Sequence, residues 1–234
     1  MVKHIGIVGG LSYLSTITYY QQICSRFSQL EGGLNSPQIS IRSLNLQEMV
    51  DTFSSHEPDN WDKVAEIIVS ALHDLKRSGA DFAAIATNTP HNAYDQIRKN
   101  SPLELVSIME ATATKIQKDG FSKVGLLGTK PTMEYGFFQR AFQEYDIKII
   151  IPTAKQRTII DRIIWKELTC NLIHSKSRRA YQEIINQLQE RGAQGIILGC
   201  TEIPLLIHPQ DCELKTYDTA KLHARAILDY ALKP

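Results

Sequence analysis

Two short polar turns carry the side chains in this sequence that could transfer protons. Thr87–Thr89 is TNT and Cys200–Glu202 is CTE, and each turn follows an apolar run and precedes a stretch with helical character. The first N–H groups of a helix are unpaired and its dipole favours negative charge, so such a turn can hold a carboxylate and lower the pKa of a thiol from about 8.5. Hydroxyl, amide and carboxylate groups in these turns supply donors and acceptors for a small zwitterion.

Either turn alone could simply cap a helix, because Ser, Thr and Asn are preferred N-cap residues whether or not a ligand binds. Their matching surroundings favour a shared function. Gly79 and Gly192, each followed by alanine, stand eight residues before Thr87 and Cys200. The sequence therefore predicts a duplicated α/β unit with one turn in each copy.

Short β-branched runs alternate with longer amphipathic stretches, which is typical of a parallel sheet covered by helices. The predicted strands are Ile5–Val8, Ile39–Leu44, Phe82–Ala86, Val124–Leu127, Ile147–Ile151 and Ile196–Leu198. Helical periodicity is clearest over Trp61–Ser78 and Arg178–Arg191. These elements predict an α/β fold of two similar domains with parallel sheets related by pseudo-two-fold symmetry, and an active site in the interdomain cleft at the carboxyl ends of the strands. We expect residues 1–106 plus 216–234 to form the N-terminal domain carrying Thr87, and residues 107–215 to form the second domain carrying Cys200.

The composition excludes several classes of function. A formal charge of +1, 43% apolar and 22% charged residues give no bias toward nucleic acid or an anionic membrane. No segment approaches the roughly 18 apolar residues of a membrane span, and no secretory signal is present. Four scattered cysteines form no CxxC pair, and no GxGxxG dinucleotide motif is present. We therefore expect a cytoplasmic protein with reduced thiols and a small-molecule partner.

Five segments resemble the aspartate/glutamate racemase family over nearly the whole chain. They are IGIVGGLSYLSTITYYQQI at Ile5–Ile23, ATNTPH at Ala86–His91, LLGTKPTM at Leu126–Met133, GAQGIILGCTEIPLL at Gly192–Leu206 and YDTAKLHA at Tyr217–Ala224. The resemblance implies a two-domain α/β enzyme that inverts the α-carbon of aspartate or glutamate. It also implies that no pyridoxal phosphate, metal or other cofactor is needed, and that the protein is a homodimer.

The sequence departs from the symmetrical family members at one catalytic position. Those members have a cysteine in each turn, whereas here Thr87 stands in the first, and Pro90 and Leu11 stand where methionine is common. A thiol with a pKa near 8.5 is roughly 3% thiolate at pH 7, while an alkoxide is essentially absent. Cys200 is therefore expected to be the thiol base, and Thr87 to deliver a proton to the other face, relayed from water or His91. The chain is similar to members with this Thr/Cys pairing, which implies selectivity for L-enantiomers.

The resemblance also implies a set of substrate-binding residues. They are Leu11, Gln47, Asn88, Thr89, Thr129, Thr132, Thr201 and Glu202. Leu11 and Gln47 could equally be packing or surface residues. Glu202 could bind the ammonium group or orient the base, or it could be a first-turn acid favoured by the helix dipole. Arg42, Arg157 and Lys166 are candidates for the distal carboxylate.

Two other functions stay open on the sequence. One is a one-cysteine relative that decarboxylates or isomerises a small dicarboxylate, since a single reactive thiol suffices there. The other is a catalytically silent amino-acid-binding protein that keeps the anion-holding turns. Entry of solvent deuterium at the α-position of aspartate would separate the racemase from both.

Overall fold

The computed structural model describes residues 1–54 and 60–233. The chain forms two compact units, Met1–Ile108 with His223–Pro234, and Met109–Leu222. Each unit contains one four-stranded sheet in which every pairing is parallel.

The first unit alternates strands and helices. Its elements are β1 (Ile5–Gly9), α1 (Tyr13–Glu31), β2 (Ile39–Ser43), α2 (Leu46–Ser54), α3 (Asn60–Arg77), β3 (Phe82–Ile85), α4 (Tyr94–Asn100) and β4 (Glu104–Val106). The sheet order is β2-β1-β3-β4. The central strands β1 and β3 are buried at every position, which explains why they contain only apolar side chains and glycine.

The second unit repeats the pattern after α5 (Ile108–Lys118). Its further elements are β5 (Lys123–Leu127), α6 (Lys130–Glu134), α7 (Phe137–Gln143), β6 (Lys148–Ile150), α8 (Ala154–Lys166), α9 (Ser175–Glu190), β7 (Gly195–Leu198), α10 (Ile203–Leu206), β8 (Lys215–Asp218) and α11 (Thr219–Ala231). The sheet order is β6-β5-β7-β8, which is the same topology as in the first unit. Helix α11 begins in the second unit and ends in the first.

Helices cover the sheets through apolar faces spaced at helical intervals. In α3, Val64, Ile68, Leu72 and Leu75 are almost completely buried, and they belong to the core cluster that also contains Leu11. Three- and four-residue spacing puts such side chains on one side of a helix. Hydrophobic burial along this stripe holds the helix against the sheet whose strand ends carry the polar turns.

The α/β class and the parallel sheets predicted from the sequence are confirmed. Two strands, β4 and β8, were missed. Their sequences, ELV and KTYD, are short and half-exposed at the sheet edge, so they lack the continuous apolar run of a central strand. Within residues 1–54 and 60–233, no helix combines the length and apolar character that crossing a membrane requires.

Candidate active site

Cys200 lies in the turn that follows β7. The preceding Gly199 donates its N–H to the carbonyl oxygen of Leu127 at 2.7 Å, which joins the carboxyl ends of β7 and β5. A Cβ on Gly199 would lie 2.9 Å from the same oxygen, so a larger residue does not fit without displacing the backbone. The close approach of the two strands therefore fixes where the cysteine leaves the sheet.

The turn after β5 lies directly beside the cysteine turn. It contains Thr129, and Thr132 follows in α6; their hydroxyl oxygens are 3.0 Å apart and buried. The methyl group of Thr132 is 2.8 Å from the position of a Cβ on Gly128 and 3.3 Å from that on Gly199. The structure thus brings two predicted substrate-binding threonines next to the predicted catalytic turn, within the second unit.

A buried carboxylate faces the sulfur of Cys200. The thiol donates a hydrogen bond to Oε2 of Glu202 at 3.0 Å, and the Thr201 hydroxyl donates to the same oxygen at 2.8 Å. Glu202 is only 4% exposed. The thiol of this half-buried cysteine therefore has a buried acceptor for its proton.

The pKa of Cys200 is raised well above its ordinary value, so the resting sulfur is a protonated thiol. Burial is the largest cause of the raised pKa. The negative charge of Glu202 and its side-chain hydrogen bond to the thiol raise the pKa further, and so does the charge of Asp161. The prediction that the turn lowers the pKa is wrong. Helix α10 has only four residues and therefore few aligned peptide dipoles, which do not outweigh desolvation and a neighbouring carboxylate.

The corresponding turn of the first unit follows β3. The Thr87 N–H donates to the carbonyl oxygen of Ile85 at 2.8 Å, and the Ser15 hydroxyl of α1 donates to that of Ala86 at 2.9 Å. Thr87 is half-buried and Asn88 is buried. The predicted helix begins as a 3₁₀ turn over Thr89–Ala93, and α4 comes only after it.

His91, the predicted proton relay, is buried in this 3₁₀ turn and stacks on Tyr94, with ring centroids 5.1 Å apart. Neither ring nitrogen forms a hydrogen bond with a group in the described parts of the chain. Burial lowers its pKa to about 3, with a smaller contribution from His223, while the backbone of Thr87 and Asn88 partly offsets both. The imidazole is therefore neutral at physiological pH.

Leu11 follows the carboxyl end of β1, and Gln47 follows that of β2. Strand β1 pairs with β2 on one side and with β3 on the other. Leu11 is buried in the hydrophobic core of the first unit. Gln47 is exposed, and its side chain donates to Asp51 at 2.8 Å on α2. These contacts favour the packing and surface roles that the sequence left open for the two residues.

Two of the three basic residues considered for the distal carboxylate are already paired. Nε of Arg42 lies 2.7 Å from Oδ2 of Asp74, and Nε of Arg157 lies 2.7 Å from Oε1 of Glu134. Lys166 is exposed in the last turn of α8. Their positions identify no carboxylate contact.

Sequence reasoning missed two polar groups of the second unit. Asp161 on α8 accepts the backbone N–H of Lys130 at 2.7 Å, directly after Thr129. Tyr181 lies on α9 within the predicted helical stretch Arg178–Arg191, and the charge of Cys200 raises the pKa of its phenol further after burial. Both lie far from the catalytic turns in sequence, so no local motif points to them.

The fold and the two turns define a class of protein: duplicated α/β proteins with hydroxyl and thiol groups at the carboxyl ends of two parallel sheets. Residues 8–227 match the model of the Asp/Glu/Hydantoin racemase family. The chain belongs to this family, and its membership supports an amino-acid racemase, an isomerase-type enzyme acting on small amino acids.

Relatives from several organisms match nearly the whole chain. A Yersinia pestis protein assigned to the Asp/Glu racemases is 39% identical, with 99% of this chain and 100% of that chain covered and a TM-score of 0.91. An aspartate racemase homologue from Pyrococcus horikoshii OT3 is 33% identical, with the same coverage and a TM-score of 0.85. The broad specificity amino-acid racemase RacX of Bacillus subtilis (strain 168) is 22% identical over 222 residues, which is 95% of each chain.

Proposed function

We propose that this protein interconverts L- and D-aspartate, L- and D-glutamate, or both, without pyridoxal phosphate. Cys200 acts as the thiol base on one face of the α-carbon and Thr87 serves the other face. The hydrogen bond from the Cys200 thiol to the buried Glu202 is the observation that carries the proposal. It supplies an acceptor for the thiol proton at the one cysteine that occupies a polar turn after a strand.

Each group that gives up a proton in this reaction regains one by its end. The Glu202 carboxylate accepts the proton of the Cys200 thiol, and the thiolate then removes the α-proton of the L-enantiomer, which restores the S–H bond. The Thr87 hydroxyl gives its proton to the opposite face of the carbanion and is reprotonated from water or His91. Because His91 is neutral, it passes a proton by accepting one on one nitrogen while releasing the other. Glu202 returns its proton to solvent.

The remaining polar groups of the two turns bind the substrate in this proposal. Hydroxyl and amide donors hold the α-carboxylate, where negative charge grows as the carbanion forms. The residues assigned to this role are Asn88, Thr89, Thr129, Thr132 and Thr201. Support comes from the burial of Asn88, Thr129 and Thr132, since a buried polar side chain in a strand-end turn is suited to a ligand.

We also propose a cytoplasmic homodimer. Helix α1 exposes Tyr13, Ile17 and Tyr20 to 63%, 56% and 51%, and their spacing puts them on one face of the helix. An apolar helix face of this kind suits association with a second copy of the chain. Light scattering during gel filtration should give twice the mass of one chain, and Ile17→Arg should reduce it to one.

The test is proton NMR in heavy water with L-aspartate, D-aspartate or L-glutamate and no added pyridoxal phosphate. Wild-type protein should remove the α-proton signal and produce the opposite enantiomer. Cys200→Ser should abolish both effects, whereas Cys212→Ser, a half-buried cysteine elsewhere in the same unit, should not.

Failure of exchange with all three substrates would reject the racemase proposal for them. Loss of carbon dioxide from an added malonate would then favour the one-cysteine decarboxylase. A melting temperature that rises with aspartate, without exchange, would favour a binding protein.

A further inference from the structure

Helix α9 buries a tyrosine whose hydroxyl has no hydrogen-bond partner within residues 1–54 and 60–233. Tyr181 is 0% exposed, and no group in the described residues forms a hydrogen bond with its oxygen. Burying an unpaired hydroxyl is unfavourable, and phenylalanine would fill nearly the same volume without that cost. The hydroxyl is therefore not explained by packing.

The packing of α9 puts this hydroxyl at the level of the cysteine turn. Leu188 of α9 lies 3.0 Å from the position of a Cβ on Gly125 in β5, and α9 runs antiparallel to the strands because it leads into parallel β7. Tyr181 lies two helical turns earlier on the same face, about 10 Å nearer the carboxyl ends of the strands. A strand rises by about 10 Å over three residues. Tyr181 therefore lies at the level of Gly128, three residues after Gly125, and of Gly199 in the neighbouring strand end.

Acidic and thiol groups interact electrostatically with the tyrosine. Burial is the largest cause that raises the pKa of Tyr181 well above its ordinary value, and Cys200, Asp161 and Glu167 raise it further. Glu167 accepts the hydroxyl of Ser177, one turn before Tyr181 on α9. The phenol therefore keeps its proton and can act only as a neutral hydrogen-bond group.

We propose that Tyr181 is a positioning residue for Cys200, whose hydroxyl donates a hydrogen bond to the sulfur once the sulfur carries negative charge. The inference rests on the proposed role of Cys200 as the base. A protonated thiol is a weak acceptor and points its hydrogen at Glu202, whereas a thiolate is a strong acceptor of O–H donors. The Tyr181 hydroxyl thus gains a hydrogen-bond partner at the step that creates the Cys200 thiolate. This hydrogen bond stabilises the thiolate against repulsion from the negative charges of Glu202 and Asp161.

The test measures the reactivity of Cys200 without relying on turnover. Iodoacetamide alkylation of Cys200 is followed by peptide mass spectrometry from pH 6 to pH 11 in wild type and Tyr181→Phe. Loss of one hydrogen bond to the thiolate should move the profile to higher pH and slow alkylation about tenfold on its rising limb. Asp161, Glu167 and Glu202 are present in both proteins, so their titration cancels in the comparison.

Tyr217→Phe is the matched control. Tyr217 is also a buried tyrosine of the second unit, but its hydroxyl donates to Asp119 at 2.8 Å and its ring packs against Gly195 at the start of β7. It therefore lies at the opposite end of the strand from Cys200. Its substitution should leave the alkylation profile of Cys200 unchanged.

The outcomes separate this inference from the proposed function. Coincident profiles for wild type and Tyr181→Phe overturn the role of Tyr181, even when heavy-water exchange is normal. If the alkylation profile shifts in Tyr181→Phe but wild-type protein exchanges no α-proton in heavy water, the contact between Tyr181 and the thiolate is supported and the racemase proposal is rejected. Where both hold, kcat of Tyr181→Phe should fall while KM stays constant, because the hydroxyl touches no substrate.

A second substitution keeps the inference testable if Tyr181→Phe folds poorly. 3-Fluorotyrosine introduced at position 181 is a stronger donor of nearly the same size. It should move the alkylation profile to lower pH, and an unchanged or higher profile overturns the proposal.

Discussion

A buried histidine in the first unit should make its stability fall as the pH decreases. His223 and Tyr19 are both 0% exposed, and the Tyr19 oxygen lies 2.9 Å from Nδ1 of His223. Nε2 lies 2.8 Å from the carbonyl oxygen of Val106. A carbonyl can only accept, so Nε2 carries the proton and Nδ1 accepts the tyrosine O–H. A second proton on Nδ1 would end the donation from Tyr19 and place a positive charge in a buried site.

The magnitude follows from the shifted pKa. Burial lowers the pKa of His223 from 6.5 to about 4. Below pH 6.5 the unfolded chain binds a proton that the folded chain does not, so the free energy of unfolding falls by about 1.4 kcal/mol per pH unit until the folded pKa is reached. Between pH 7.5 and pH 5.0 this loss is about 2 kcal/mol. His91, with a pKa lowered to about 3, should lose a similar amount over the same interval.

The assay is urea unfolding at pH 7.5 and pH 5.0 in a Trp165→Phe background, where Trp61 is the remaining tryptophan and reports on the first unit. Tyr19→Phe with His223→Gln removes the titrating ring and leaves no orphaned hydroxyl. The pH-dependent loss should be about 2 kcal/mol smaller in this double variant. Replacing the exposed His73 by Gln should leave the loss unchanged. Equal losses in the double variant and its parent would refute the argument that His223 is buried neutral.

Three further predictions concern the turns that follow β7, β3 and β1. Glu202→Gln should lower the pKa of Cys200 and speed its alkylation at pH 8, because a neutral amide replaces the charge beside the sulfur; slower alkylation would contradict this. Thr87→Cys should allow α-proton removal from D-aspartate as readily as from L-aspartate, measured by NMR in heavy water, and unchanged selectivity would count against Thr87 as the second catalytic position. Gly10→Ala should cost more than about 1 kcal/mol in urea unfolding, because Gly10 has φ of 85° and its Cβ would lie 2.1 Å from the Leu44 oxygen; undiminished stability would mean that the loop relaxes.

The acid beside the thiol changes how the chemistry must start. A thiol supported by a helix dipole would be partly ionised before substrate arrives, whereas Cys200 is held protonated by burial and by Glu202. Ionisation therefore needs a proton acceptor and compensating donors within the site. Glu202 is suited to the first role and Tyr181 to the second in the mechanism proposed above.

The elements that the sequence predicted are those whose own residues carry an apolar run or a helical periodicity. Strands β1, β3, β5 and β7 are buried on both faces, so their apolar runs are visible in the sequence as they stand. The edge strand β8 has the sequence KTYD and is formed by its pairing with β7. A half-exposed edge strand with charged and polar residues leaves no continuous apolar run in the sequence.

The sequence by itself determined the duplicated α/β plan, the family and the two turns that carry Thr87 and Cys200, because apolar runs and motif spacing are local properties of the chain. It placed Glu202 two residues from the thiol without deciding what the acid does there. Tertiary structure decided that the thiol is protonated, because desolvation depends on every segment packed around the sulfur. It also decided that Tyr181 lies level with the same turn, because only the packing of α9 against β5 fixes its height along the sheet.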